Sequence, residues 1–326
     1  MAPKFGTSGL RGLVSELTPA LVADYLRAFV RACDTGTGLF VGRDLRNSSP
    51  ELADVVIAAA RAEGLAVTDC GALPTPALAL AALTAGAAAV MVTGSHIPAD
   101  RNGLKFYTPA GEISKADEAA ILAGLGATSA GLSGPLHAGQ AALADYVARY
   151  VSAYRGALAG LRIGVWQQSS VARDLLGEVL AGCGADVVPL GRSEAFIPVD
   201  TEAVLPEWRA MFAGWVATHG LDALVSTDGD ADRPLVVDNA GAVVPGDILG
   251  ALTAQALGAE RVVTTVSANT CVDLMARFSV TRVRIGSPFV IAGMQGGGRV
   301  VGYEPNGGFL LGYAAAGPAG RLQPLM

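Results

Sequence analysis

Three carboxylates, Asp228, Asp230 and Asp232, occupy alternate positions in Ser226-Thr-Asp-Gly-Asp-Ala-Asp-Arg-Pro234. Negative charges this close repel one another unless a cation lies among them. Oxygens at i, i+2 and i+4 converge in a tight Gly-containing loop, and an oxygen-only set suits a hard cation such as Mg2+. The apolar runs 221–225 and 235–237 flank the loop, which puts it at a strand end, where α/β proteins gather ligands. A solvated acidic turn is the alternative. The calcium-binding EF-hand pattern fails, because Arg233 stands at its glycine position and Asn239 at its bidentate glutamate position.

A second stretch presents a hydroxyl. The apolar run 87–93 reads as a buried strand, and Gly94-Ser95-His96 follows it. Ser95 could act there as a nucleophile or as a phosphate carrier. A hydrolase triad is poorly supported, because no GxSxG elbow exists and the histidines are only His96, His137 and His219. The latter two read as surface or packing residues. Lys105, between Leu104 and Phe106, could be a proton-transfer group with a packed stem or a snorkelling surface lysine. Phe5-Gly-Thr-Ser-Gly-Leu-Arg-Gly12 offers backbone donors and Arg11 to a phosphate. Val301-Gly-Tyr-Glu-Pro-Asn-Gly-Gly308 offers Glu304 and Asn306 to sugar hydroxyls.

The elements that must carry these loops recur three times. A short apolar run (39–43, 161–166, 261–266) leads to polar turn residues (Asn47-Ser-Ser-Pro50, Ser169-Ser170, Asn269-Thr270). A helical stretch follows (51–63, through Leu180, to Phe278), then a second apolar run (65–68, 186–188, 281–284). Strand, capped helix and strand in this order predict three βαβ-containing α/β domains. Residues 126–140, rich in Gly, Ser, Ala and Pro, read as a loop before an amphipathic helix from Ala141 to Leu158. Asn239-Ala-Gly241 reads as a hairpin turn, and 307–312 as a core strand after a loop. The expected domains are 1–157, 158–245 and 246–326.

The chain has 326 residues, 51% of them hydrophobic and 16% charged, with 42 Gly. That composition supports a large folded core and excludes a disordered chain. A net charge of −6 implies no basic face for nucleic acid. Cys33, Cys70, Cys183 and Cys271 match no metal or redox spacing and read as reduced buried thiols of a cytosolic protein. The N-terminus lacks a signal layout. The apolar stretch 78–93 is broken by Thr84 and Gly86, and reads as a buried helix running into a strand rather than a membrane span.

Taken together and in this order, the loops resemble those of the α-D-phosphohexomutase family, and more narrowly its bacterial phosphomannomutase/phosphoglucomutase members. The resemblance implies three similar α/β domains with mixed sheets around a central cleft, followed by a smaller fourth. The family's fourth-domain Arg-x-Ser-Gly-Thr-Glu-Pro loop has no counterpart here, so that domain is expected to be absent from this chain. By resemblance Ser95 carries the phosphoryl group. Asp228, Asp230 and Asp232 bind one Mg2+, and a phosphoserine oxygen completes the set. Arg11, His96 and Lys105 match active-site positions, with Lys105 as general acid/base. Arg233 contacts the phosphoryl group, while Glu304 and Asn306 match the sugar-recognition loop. Arg284 and Ser287 match a Lys-x-Gly-His stretch, with Ser287 at the histidine position. Asn306 replaces the commoner serine, and Gly308 stands where some members have histidine.

The implied activity interconverts hexose 6-phosphate and hexose 1-phosphate, with mannose as the hexose, through a 1,6-bisphosphate. The expected partner is a small-molecule sugar phosphate, with no nucleic acid and no membrane. The protein is expected in the cytoplasm as a monomer or weak homodimer. Three alternatives stay open. One is a weakly active or non-catalytic sugar-phosphate binder. Another is phosphoglucomutase or phosphoglucosamine mutase specificity. The third is a Mg2+-dependent phosphatase using an aspartyl nucleophile of Asp228-Gly-Asp230.

Overall fold

The structure is a computed structural model that describes residues 3–6, 9–315, 317 and 320. Thr7 and Ser8 of the Gly-rich loop and the last six residues lie outside the described residues. The chain divides into two compact units, residues 1–146 and 147–326.

The first unit carries β1 (Lys4–Phe5), β2 (Leu10–Leu13), α1 (Pro19–Ala32), β3 (Leu39–Arg43), α2 (Ser49–Ala62), β4 (Val67–Ala72), α3 (Thr75–Ala85), β5 (Ala88–Val92), β6 (Arg101–Thr108), β7 (Gly111–Glu112), α4 (Lys115–Ala123) and β8 (Leu136–Ala138). Its sheet runs β1-β2-β6-β5-β3-β4-β8, with β7 paired to β6. Local chemistry sets the helix starts. Thr18 caps α1 by accepting from the Leu21 N–H, with Pro19 at the first turn. Ser114 and Asp117 form a capping box at α4. All five residues of β5 are buried, which is why its sequence is apolar without alternation. Leu10, Leu104 and Phe106 face a core shared with Leu26, Phe29 and Val56. The Phe29 and Phe106 rings lie 5.0 Å apart. Each such buried side chain contributes roughly 1.5–3 kcal/mol.

The second unit opens with most of α5 (Ala141–Ala153) and holds two sheets. One contains β9 (Arg162–Gln168), α6 (Leu175–Gly182), β10 (Asp186–Arg192), α7 (Pro206–His219), β11 (Ala223–Thr227), β12 (Pro234–Val237) and β13 (Val243–Val244), in the order β10-β9-β11-β12-β13. The other follows α8 (Gly246–Leu257). It contains β14 (Arg261–Thr265), α9 (Cys271–Leu274), β15 (Ser279–Val283), α10 (Ser287–Gly293), β16 (Val300–Tyr303) and β17 (Phe309–Leu311), in the order β15-β14-β16-β17. Trp166, Phe212 and Leu224 centre the first core, and Val262, Val301 and Tyr303 the second.

All three sheets share one four-strand pattern: β4-β3-β5-β6, β10-β9-β11-β12 and β15-β14-β16-β17. In each the first three strands are parallel and the fourth is antiparallel. The three mixed α/β sheets expected from the repeating pattern are therefore present. The loops joining third and fourth strands are 93–100, 228–233 and 304–308. Ser95, the aspartate triplet and Glu304 thus occupy the same topological position in three successive repeats.

Several element boundaries differ from expectation. α6 begins at Leu175 rather than beside Ser169-Ser170. Those serines are spent elsewhere: Ser169 Oγ accepts from the Ile197 N–H at 2.7 Å, and Ser170 Oγ lies 2.6 Å from Thr227 Oγ1. α9 ends at Leu274 instead of near Phe278, and Ala276 takes a left-handed φ of 50° that stops it. α5 ends at Ala153, short of Leu158. The loop 126–140 contains β8, an exposed strand paired parallel with β4. The Asn239-Ala-Gly241 turn does join two antiparallel strands, and Asp238 Oδ1 accepts from the Ala240 and Ala242 N–H groups. The stretch 78–93 is α3 running into β5. Among the described residues no helix is long and apolar enough to cross a membrane. All four cysteines are free; only Cys183 is buried.

Candidate active site

The aspartate loop turns between β11 and β12. Thr227 pairs with Pro234 at the end of the ladder, so six residues reverse the chain. The Asp228 N–H donates to the Arg233 carbonyl, and the Arg233 N–H donates to Asp228 Oδ1 at 3.3 Å. Ala231 takes a left-handed φ of 59°. The turn gathers one oxygen each from Asp228, Asp230 and Asp232 within 4.8 Å of one another. Asp228 and Asp230 are fully buried, and Asp232 is half-buried. Three clustered carboxylates at that depth fit a hard divalent cation. Arg233 is drawn into the same turn, its Nε 3.8 Å from Asp232 Oδ1. Burial works against its charge, but Asp232, Asp228, Asp230 and Asp200 together hold its proton more tightly than in a free arginine.

The support of this loop comes from residues at and beside Ser169-Ser170, where a helix start is expected. Gln168 Nε2 donates to the Thr227 carbonyl at 3.0 Å, and the Val171 N–H donates to the Gly229 carbonyl. Ser170 joins Thr227 through their hydroxyls. Gln168 itself has a φ of 34°.

In the first unit, Ser95 lies just past β5. It is fully buried, with a left-handed φ of 52°. Its Oγ lies 3.3 Å from Nδ1 of half-buried His96. Strand register brings two more expected residues to this sheet. Arg11 on β2 pairs with Gly103 on β6, and Lys105 on β6 pairs with Met91 on β5. Residues 103 and 105 share a face, opposite to the core face of Leu104 and Phe106. Arg11 is half-buried and Lys105 is only 4% exposed, so Lys105 is not a snorkelling surface lysine.

A buried ion pair missed in the sequence lies beneath this loop. Asp44 and Arg46 follow β3 and are almost wholly buried, at 0% and 1% exposure. Arg46 Nε donates to Asp44 Oδ2. Its terminal nitrogens donate to the carbonyls of Ser95, Ile97, Pro98 and Arg101. Asp44 also accepts from the Ser49 and Thr93 hydroxyls, and Thr93 Oγ1 accepts from the Ser95 N–H at 2.8 Å. Burial pushes the Asp44 carboxyl upward, against the pull of Ser49, Arg46 and Thr93. The available signal was Asp44-Leu-Arg46 directly after a strand, two charges where a plain turn needs none.

The third loop brings four expected residues into one neighbourhood of the second unit. Glu304 Oε1 accepts from the Gly286 N–H at 2.9 Å, which ties β16–β17 to the Arg284–Ser287 segment. Asn306 Oδ1 accepts from the Gly308 N–H. Arg284 is exposed, its guanidinium carbon 5.8 Å from the centre of the Phe289 ring, and Ser287 opens α10. Thr201 Oγ1 donates to the Asn306 carbonyl at 2.8 Å, a contact not foreseen. His137 is exposed on β8, and His219 is the last residue of α7.

Family models for phosphoglucomutase/phosphomannomutase alpha/beta/alpha domains I, II and III match residues 2–130, 142–241 and 245–317. A phosphomannomutase from Sinorhizobium fredii is 47% identical over 332 residues, covering 96% of this chain and 70% of that protein. A phosphomannomutase from Salmonella muenchen is 41% identical over 321 residues, covering 94% of this chain and 66% of that protein. A crystal structure of a phosphoglucomutase/phosphomannomutase family protein from Burkholderia thailandensis superposes with a TM-score of 0.78 at 22% identity. It covers 97% of this chain and 74% of that one.

Proposed function

The chain belongs to the phosphoglucomutase/phosphomannomutase family, and from that premise we propose that it is a phosphohexomutase, an isomerase that interconverts hexose 6-phosphate and hexose 1-phosphate. The observation that carries this reading is the donor set of Asp228, Asp230 and Asp232, gathered within 4.8 Å and mostly buried beside Arg233. Mannose is the hexose favoured by the two phosphomannomutase relatives. The substrate is a free sugar phosphate in the cytoplasm, and the enzyme works as a monomer or weak homodimer with domains at 1–157, 158–245 and 246–326.

In this mechanism Ser95 carries the phosphoryl group. The sugar hydroxyl attacks phosphorus, the bond to Ser95 Oγ breaks, and the sugar becomes a 1,6-bisphosphate. Its other phosphoryl group then returns to Ser95. Lys105 moves the hydroxyl proton, and His96 contacts the serine oxygen. Arg11 and Arg233 offset charge on the phosphoryl oxygens. Glu304 and Asn306 hold sugar hydroxyls, while Arg284 and Ser287 bind the substrate. Mg2+, held by Asp228, Asp230, Asp232 and an oxygen of phosphorylated Ser95, would supply charge neutralisation during transfer.

The test is mutase turnover of wild type and Ser95→Ala, before and after chelation. The substitution should cost at least about 1000-fold in kcat. Chelation should abolish turnover, and added Mg2+ should restore it. Near-normal turnover by Ser95→Ala would defeat the assignment. Phosphate release that survives in Ser95→Ala would point instead to an aspartyl phosphatase.

A further inference from the structure

We propose that Arg46 is a positioning residue for Ser95: one buried guanidinium gathers the carbonyls of the 95–101 loop and so fixes the direction of the serine hydroxyl. The proposal deepens the mutase reading and rests on it for its kinetic part.

The geometry is unusually complete. Nε donates to Asp44 Oδ2 at 3.2 Å. One terminal nitrogen donates to the Pro98 and Arg101 carbonyls at 2.7 and 3.0 Å. The other donates to the Ser95 and Ile97 carbonyls at 2.8 and 2.5 Å. The planar fork has five N–H donors, and each has an acceptor here. Three of those acceptors belong to the loop that carries Ser95, and a fourth, the Arg101 carbonyl, opens β6 at its end. A buried cation held this way is costly to leave unmatched, and Asp44 balances its charge.

Two further observations make the guanidinium a shape as well as a charge. A Cβ on Gly94 would fall 2.7 Å from Arg46 Cζ and 2.8 Å from Nε, so the residue before Ser95 crosses directly over the guanidinium. Ser95 itself holds a left-handed φ of 52°, a strained conformation that surrounding contacts must maintain. Its carbonyl is held by Arg46. Its N–H is held by Thr93, whose hydroxyl rests on Asp44. Both polar groups of the Ser95 backbone therefore lead back to one ion pair.

Five hydrogen bonds of the Arg46 guanidinium go to Asp44 and to backbone carbonyls, so its part is orientation. Misplacing a reacting atom by about 1 Å costs roughly 100-fold in rate. Lysine would keep the charge but lacks the planar fork, with three donors in place of five.

The experiment compares wild type, Arg46→Lys and Arg46→Met, each saturated with Mg2+. It measures kcat and KM for the hexose phosphate, and amide exchange of 94–101 against β3, β5 and β6. Arg46→Lys should fold, lose roughly 100-fold in kcat with KM changed only about threefold, and exchange faster only in 94–101. Wild-type kcat in folded Arg46→Lys overturns the proposal, as does a kcat loss with unchanged exchange in 94–101. Loss of protection throughout the sheet in both variants also overturns it, because Arg46 would then be a general structural residue. Failure of the mutase reading looks different. Wild type would then show no turnover and no phosphoryl group on Ser95, while the exchange comparison would still report whether Arg46 holds the loop.

Discussion

The Ser95 loop and the Glu304 loop occupy the same position in their repeats, between a parallel third strand and an antiparallel fourth. They are held in opposite ways. The Ser95 loop is fastened inward, to an ion pair that follows the first strand of its own repeat. The Glu304 loop keeps one tie inside its own repeat, from the Gly286 N–H to Glu304, and is also fastened sideways, to the neighbouring repeat: Thr201 donates to the Asn306 carbonyl, and Gly307 packs on Pro234, which directly follows the aspartate loop. The contrast suits the two tasks proposed for these loops. A group that receives and gives up phosphate needs one fixed direction. A loop that recognises the sugar needs a fixed relation to the charge that meets the phosphate.

The largest test of this contrast is Gly307→Ala. Gly307 has a φ of 90°, and an added Cβ would fall 2.9 Å from Pro234 Cδ. Strain of this kind costs on the order of 1–3 kcal/mol. The variant should raise KM for the sugar phosphate about tenfold or more and speed exchange in 304–308 and 228–234, with 94–101 unchanged. Faster exchange in 94–101 would break the division between the two loops. A smaller effect is expected from Thr201→Val. Thr201 is 7% exposed, so the lost hydroxyl leaves the Asn306 carbonyl short of a donor, at a cost of about 1–2 kcal/mol. KM should rise several-fold while kcat holds. A fall in kcat with KM unchanged would show that the link serves the chemistry rather than sugar recognition.

Much of this was legible in the residues. The alternate-position aspartates, the apolar run before Ser95 and the turn at 239–241 announced their structures, because charge repulsion, burial and turn chemistry act over a few residues. The supports were not legible. Ser169 and Ser170 look like helix caps, yet their hydroxyls tie other loops, and α6 starts only at Leu175. Arg46 looks like part of a solvated turn, and only the fold brings the carbonyls of 95–101 over it. β8 has no apolar alternation, since all three of its residues are exposed. Its pairing depends on β4, more than sixty residues earlier in the chain. What escaped was contact between segments distant in sequence, which no local pattern encodes.

The central claim is that phosphate passes through Ser95. The most direct measurement is peptide mass mapping after the protein meets hexose 1,6-bisphosphate and Mg2+. The account predicts one added phosphoryl group, on the peptide containing Ser95. A phosphoryl group on Asp228 or Asp230, or steady turnover with Ser95 unmodified, would contradict it.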